Sequence, residues 1–195
     1  LATLAAEEDR DVDVCLLEQA PEVAPAFPPA FQRAVHDALL DAGVTVRTGT
    51  GVSSADDATI TLDTGEDLGY DQFVWTGGIR GNEAMGGERP EVRGDLRLDA
   101  RTFALGDAVR IVDADGEPVP ASASAAVRAA ETAARNVVAA ATADGGFVDL
   151  TQWRWESPGW LISVGDDAVA QLGPTVVTGG TANALKSAGG VPYLA

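Results

Sequence analysis

A short apolar segment, Thr102 to Leu105, stops at Gly106-Asp107, and after an acidic loop Val119-Pro120-Ala121-Ser122-Ala123-Ser124 opens an Ala-rich run. The first part reads as a strand that turns sharply at glycine and leaves a carboxylate at its end. Ligands of open α/β sheets bind beyond the carboxyl ends of the strands, where an Asp can accept hydrogen bonds from ribose or ribitol hydroxyls. The second part reads as a helix from Pro120 to Ala143, since Pro suits a first turn and alanines allow another body to approach closely. An ordinary turn also accounts for a Gly-Asp pair after a strand. Both readings stand on these residues alone.

Strand, Gly-Asp, loop, then Pro and an Ala-rich helix resembles the flavin-contacting segment of flavoprotein oxidoreductases with two dinucleotide-binding domains. Upstream, Phe73-Val74-Trp75-Thr76-Gly77-Gly78 is similar to the strand-to-glycine turn that precedes it in the same families, in particular the type II NADH:quinone dehydrogenases. The resemblance implies an α/β fold, the C-terminal part of a Rossmann-like FAD/NAD(P)-binding flavoprotein, with a β-meander and a C-terminal α+β segment. It implies FAD and NAD(H) as cofactors and a quinone or similar small molecule as electron acceptor. By the same resemblance Gly77, Gly78, Gly106, Asp107, Ala123 and Ser124 are flavin-site candidates, with residues 1–82 in the NAD(P)H-binding domain, 83–143 in the FAD-binding domain and 144–195 in the C-terminal segment. Peripheral membrane contact on the inner face of the cell membrane and homodimerisation are further expectations of this kind.

Asp13 to Leu17 reads as a buried strand closed by Glu18. An acidic residue ending the second strand of a dinucleotide-binding unit hydrogen-bonds the adenosine ribose, with a glycine fingerprint about 20 residues earlier. The fingerprint would then precede Leu1, so the expectation is the C-terminal part of a longer polypeptide, inactive by itself. A solvated strand-end carboxylate is the other reading of Glu18.

Charge narrows the partners. Thirteen Lys+Arg against thirty Asp+Glu give a net charge of −17, a field that repels nucleic acid. Acidity spread along a folded composition, not gathered in a tail, predicts adaptation to high salt. Cys15, the single cysteine, lies in the apolar run Val12 to Leu17 and is expected to be a buried, inert thiol in a reducing cytoplasm. With one histidine, His36, there is no metal cluster to read, and His36 beside Asp37 reads as a surface helix residue. No apolar run approaches the ~18–20 residues needed to span a bilayer.

The remaining elements follow from pattern. Leu1 to Glu8 reads as a helix end, and Phe31, Val35, Ala38, Leu39 and Ala42 recur at helical spacing until Gly43. Val44–Arg47 is a predicted strand. Ala58–Leu62 and Leu68–Val74 read as antiparallel strands around Thr64-Gly65-Glu66-Asp67. Gly81 to Arg93 reads as a linker, Asp113-Ala114-Asp115-Gly116-Glu117 as an acidic hairpin tip lacking the twelve-residue calcium pattern, and Asp144-Gly145-Gly146 as the end of the long helix. Glu131 and Arg135 form a helical pair. Trp153, Trp155 and Trp160 read as an aromatic core or a partner surface, and Leu161 to Ala170 resembles the C-terminal hairpin of the type II dehydrogenases.

Two departures sort the branches of the family. No histidine follows His36 and no cysteine follows Cys15, unlike the dithiol-disulfide reductases and the sulfide:quinone oxidoreductases. The type II enzymes carry Ala-Gln-x-Ala-x-Gln at the helix start, whereas this chain has Ala123-Ser124-Ala125-Ala126-Val127-Arg128. That difference leaves the acceptor open, with a different acceptor or a non-catalytic flavoprotein-derived module as alternatives.

Overall fold

The computed structural model describes residues 1–83, 86–143, 148–157 and 159–187, and these fall into two compact units. One comprises residues 1–75 with 159–187, the other residues 76–157.

In the first unit, α1 (Ala2–Glu7) leads to β1 (Val14–Leu17), α2 (Pro29–Asp41) and β2 (Val44–Arg47). The two strands pair in parallel from Val14↔Val44 to Leu17↔Arg47, so strand, helix and strand form a βαβ unit. Pro29 begins α2 at a position where its missing N–H is harmless, and Gly43 ends it with φ +76°, a left-handed conformation that glycine adopts without a Cβ penalty. Phe31 and Val35 are buried, as their spacing predicts, against Val23 and Val169. Truncating a buried Phe such as Phe31 costs about 3–5 kcal/mol.

The meander has three strands, β3 (Val52–Ala55), β4 (Thr59–Leu62) and β5 (Asp67–Gly69), with Ile60 and Leu62 buried. Asp56 Oδ1 accepts the N–H groups of Ala58 and Thr59 and so shapes the β3–β4 turn, a turn the sequence reading missed along with β3. The predicted strand over Leu68–Val74 stops at Gly69. Val74 and Trp75 are exposed, and no described strand pairs with them, so β propensity there finds no ladder to join.

The C-terminal hairpin is β8 (Trp160–Val164) and β9 (Asp167–Leu172), extended by β10 (Thr175–Thr178) and followed by α4 (Gly179–Ser187). Ala182 packs with Ala168, Ala170 and Leu161, while Val169 turns to the α2 core. Phe27 meets Trp160 edge-on at 5.1 Å and Phe31 at 5.0 Å. The same alternation corrects the reading of Cys15. Leu16 turns into the α2 core, so its neighbour Cys15 faces the other side of β1 and is exposed.

The second unit is built on a short parallel pair, β6 (Glu91–Val92) with β7 (Arg110–Ile111), and on α3 (Ala123–Thr142). Thus the end of the predicted linker is a strand. Val92, Leu96, Val109 and Ile111 pack against Ala125, Ala129, Ala133 and Trp153. Buried Asn136 orients α3: its amide donates to the Asp95 and Thr151 carbonyls at 2.9 Å each and accepts the Thr151 N–H at 2.8 Å. A buried side-chain amide with three partners meets the requirement for burial at little cost. Trp153 and Trp155, 6.0 Å apart, therefore serve this unit's core, whereas Trp160 serves the other.

Candidate functional site

Thr102 to Leu105 is not a ladder strand. The Asp99 carboxylate accepts the N–H groups of Arg101 (2.8 Å) and Thr102 (2.9 Å), folding a tight turn whose arms meet in one bridge, Arg97↔Phe103. These donors, the Arg101 N–H foremost, hold the Asp99 carboxyl below its usual pKa. Beyond the turn the extended backbone reaches Gly106, where φ is +67° and Gly106-Asp107-Ala108 forms one 3₁₀ turn before β7. A Cβ on Gly106 would stand 3.4 Å from the Ala126 Cβ, so the turn lies close against the first turn of α3.

That helix starts three residues later than predicted. Pro120 and Ala121 precede it, and Ser122 is the N-cap, its hydroxyl accepting the Ala125 N–H at 3.2 Å. Ser122 competes better for the cap than Pro120 for the first turn because it satisfies a donor the helix cannot. Helices leave their first four N–H groups without an intrahelical acceptor; Ser122 takes that of Ala125, and those of Ala123 and Ser124 lie at the open end. The Asp107 carboxylate is exposed and has no hydrogen-bond partner among the described residues.

Between turn and helix lies a cleft lined by Arg89, Gly106, Pro120, Ala121, Ser122 and Ala126. Its cavity volume is about 10 Å³, close to the room one water molecule needs. Sites that enclose a small ligand run to ~300–1,000 Å³, so the cleft by itself encloses none. Arg89, which the sequence reading passed over inside a linker, donates from Nε to the Asp107 carbonyl at 2.8 Å and from a terminal nitrogen to the Val109 carbonyl at 2.7 Å. The only sequence signal for it was a cation three residues before an apolar Val92.

In the other unit Glu18 ends β1, as read. Its Oε1 accepts the Ala20 N–H at 2.8 Å, its N–H donates to the Arg47 carbonyl at 2.9 Å, and its carbonyl accepts from Thr50 at 2.9 Å. Arg47 commits its guanidinium to Glu66 in two hydrogen bonds of 3.1 and 2.8 Å, which hold the Glu66 carboxyl below its usual pKa. Gly77 and Gly78 lie in an irregular exposed segment, Gly78 with φ +77°. His36 is half-buried on α2, and no group of His, Cys, Asp and Glu fit to hold a metal occurs among the described residues. Asp144-Gly145-Gly146 lies outside the described residues; α3 runs to Thr142. No described helix is long and apolar enough to cross a membrane.

Comparison with known proteins places this geometry. Residues 1–130 match the family model for pyridine nucleotide-disulphide oxidoreductases. Over 139 residues the chain is 27% identical to the type II NADH:quinone oxidoreductase of Haemophilus influenzae, covering 66% of this chain and 31% of that protein. NDH2 of Plasmodium falciparum, solved in complex with NADH, superposes with a TM-score of 0.70 at 12% identity over 91% of this chain and 54% of that one. The sulfide:quinone oxidoreductase of Aquifex aeolicus gives 0.70 at 14% identity, over 97% and 52%. These two likenesses establish the Rossmann-like fold. The chain thus spans about a third of the curated relative and about half of the solved structures. With the family model covering residues 1–130 and the βαβ unit, meander and Gly-Asp turn in sequence, the chain belongs to the pyridine nucleotide-disulphide oxidoreductase family.

Proposed function

We propose that the chain supplies one wall of an FAD site and part of an NAD(H) site in an oxidoreductase that carries electrons from NADH through flavin to a quinone or similar acceptor. The observation that carries this reading is the approach of the Gly106-Asp107 turn to the open end of α3, with an unpartnered carboxylate on one side and first-turn N–H groups on the other. A polyhydroxylated ligand whose ring carries hydrogen-bond acceptors suits that pair. Asp107 accepts from ribitol or pyrophosphate-side hydroxyls, and the N–H groups of Ala123 and Ser124 face the pyrimidine edge. The helix N-terminus, worth about half a positive charge, favours negative charge there. FAD, when bound, takes hydride from NADH and passes the electrons on.

Gly77 and Gly78 are assigned to cofactor binding, with residues 1–82 in the NAD(P)H-binding part, 83–143 in the FAD-binding part and 144–195 as the C-terminal segment. Glu18 binds the adenosine ribose: one carboxylate oxygen is held by Ala20, leaving the other to accept a ribose hydroxyl. A 2′-phosphate beside that carboxylate is repelled, and Arg47, the nearest strand-end cation in sequence register, is already paired with Glu66. The quinone rests on the names of the relatives, as does peripheral contact with a membrane. The test is turnover by the natural polypeptide that carries this chain: NADH with a short-chain quinone is oxidised faster than NADPH, and Glu18→Ala narrows the ratio of the two kcat/KM values. No turnover with any acceptor, or an unchanged ratio, contradicts the corresponding assignment.

A further inference from the structure

We propose that Arg89 is a positioning residue for ligand binding: its guanidinium clamps the turn that carries Asp107 and so fixes where that carboxylate points. The inference rests on the reading of Asp107 as a flavin ligand.

Arg89 lies just before β6 and Asp107 just before β7, two strands that pair in parallel. Its planar fork makes two hydrogen bonds at once, to the carbonyls of Asp107 and Val109 at 2.8 and 2.7 Å. The base of the fork is itself held, because Arg110 Nε donates to the Arg89 carbonyl at 3.2 Å and the Arg110 N–H donates to the Pro90 carbonyl at 2.9 Å. By contrast the turn's own bond, Val109 N–H to the Gly106 carbonyl, is long at 3.3 Å. The conformation of Asp107 is therefore set from outside the turn. Among the described residues no group restrains its carboxylate, so the direction of the side chain depends on where its backbone is held.

This clamp is separable from the fold. Val109 and Ile111 are buried with Val92 and α3, and the β6–β7 ladder joins the strands independently of the Arg89 side chain. A lysine keeps the charge but is a single point donor, unable to span two carbonyls in a plane. Among the described residues the fork commits two of its five N–H groups, on a side chain that lines the cleft.

The experiment is an FAD titration of the natural polypeptide, followed by flavin fluorescence, on wild type, Arg89→Lys, Asp107→Ala and the double variant, each with a thermal melt. Arg89→Lys is expected to weaken FAD about 10-fold, the scale of a lost charged hydrogen bond, with the melt nearly unchanged. Added to Asp107→Ala it should weaken binding no further, because it acts through that carboxylate. Arg89→Gln, which retains donors without the charge, should fall with Arg89→Lys. Equal affinity of wild type and Arg89→Lys, an additive loss in the double variant, or collapse of the melt in both Arg89 variants overturns the positioning role while leaving the FAD site standing. Failure of the wild type to bind FAD overturns the site itself, and this role with it.

Discussion

The Asp113 carboxylate receives the backbone N–H of Trp155 at 3.1 Å, across 42 residues of chain. Its other oxygen takes the N–H groups of Asp115 and Glu117 at 2.9 and 3.0 Å, closing the acidic hairpin before α3. One buried carboxylate thus fastens the hairpin to the segment that brings Trp153 into the core behind the candidate cleft. What the sequence presents as a cluster of loop acids contains one structural anchor.

Burial pushes the Asp113 carboxyl up, but the Trp155, Glu117 and Asp115 N–H groups and Arg154 together hold it below its ordinary pKa. A carboxylate depressed in the folded state adds stability above its unfolded pKa of about 3.9 and loses it as pH falls through the folded value. Asp113→Ala, leaving three donors without their acceptor, should cost about 3 kcal/mol at pH 7. Urea unfolding at pH 7 and at pH 3 checks both statements: the gap between wild type and variant should shrink at the lower pH. A gap that is constant with pH assigns the effect to packing.

The charge pattern makes a separate prediction. At −17 the chain repels itself, and the Debye length falls from about 10 Å at 0.1 M salt to 3 Å at 1 M. Surface pairs such as Arg154–Asp115 and Arg135–Glu131 leave most carboxylates unmatched. The melting midpoint should rise by about 5 °C or more between 0.1 M and 2 M KCl. An unchanged midpoint shows that the acidic surface carries no adaptation to salt.

Legibility followed the physics of each signal. Periodicity located α2 through Phe31 and Val35, short apolar runs located β1 and β2, and the resemblance to the type II dehydrogenases located the C-terminal hairpin. Thr102–Leu105 and Tyr70–Val74 carry the same apolar signal without a ladder, since pairing partners are a tertiary property. Cys15 was misread because an apolar run does not say which face is covered. The start of α3 was readable at Ser122, whose hydroxyl caps the helix, but Pro120 gave the louder signal. Arg89 was out of reach. Its hydrogen bonds run to backbone carbonyls 18 and 20 residues away, and a backbone acceptor leaves no mark on sequence.

The central claim is that Asp107 and the open end of α3 hold a flavin. Its most direct measurement is the flavin absorbance retained by the natural polypeptide after purification, in wild type and in Asp107→Ala, with circular dichroism confirming that both are folded. The account predicts a yellow wild type and a variant that loses most of its FAD, by about 10-fold or more in affinity. Full flavin retention by folded Asp107→Ala would show that the Gly106-Asp107 pair is only a turn.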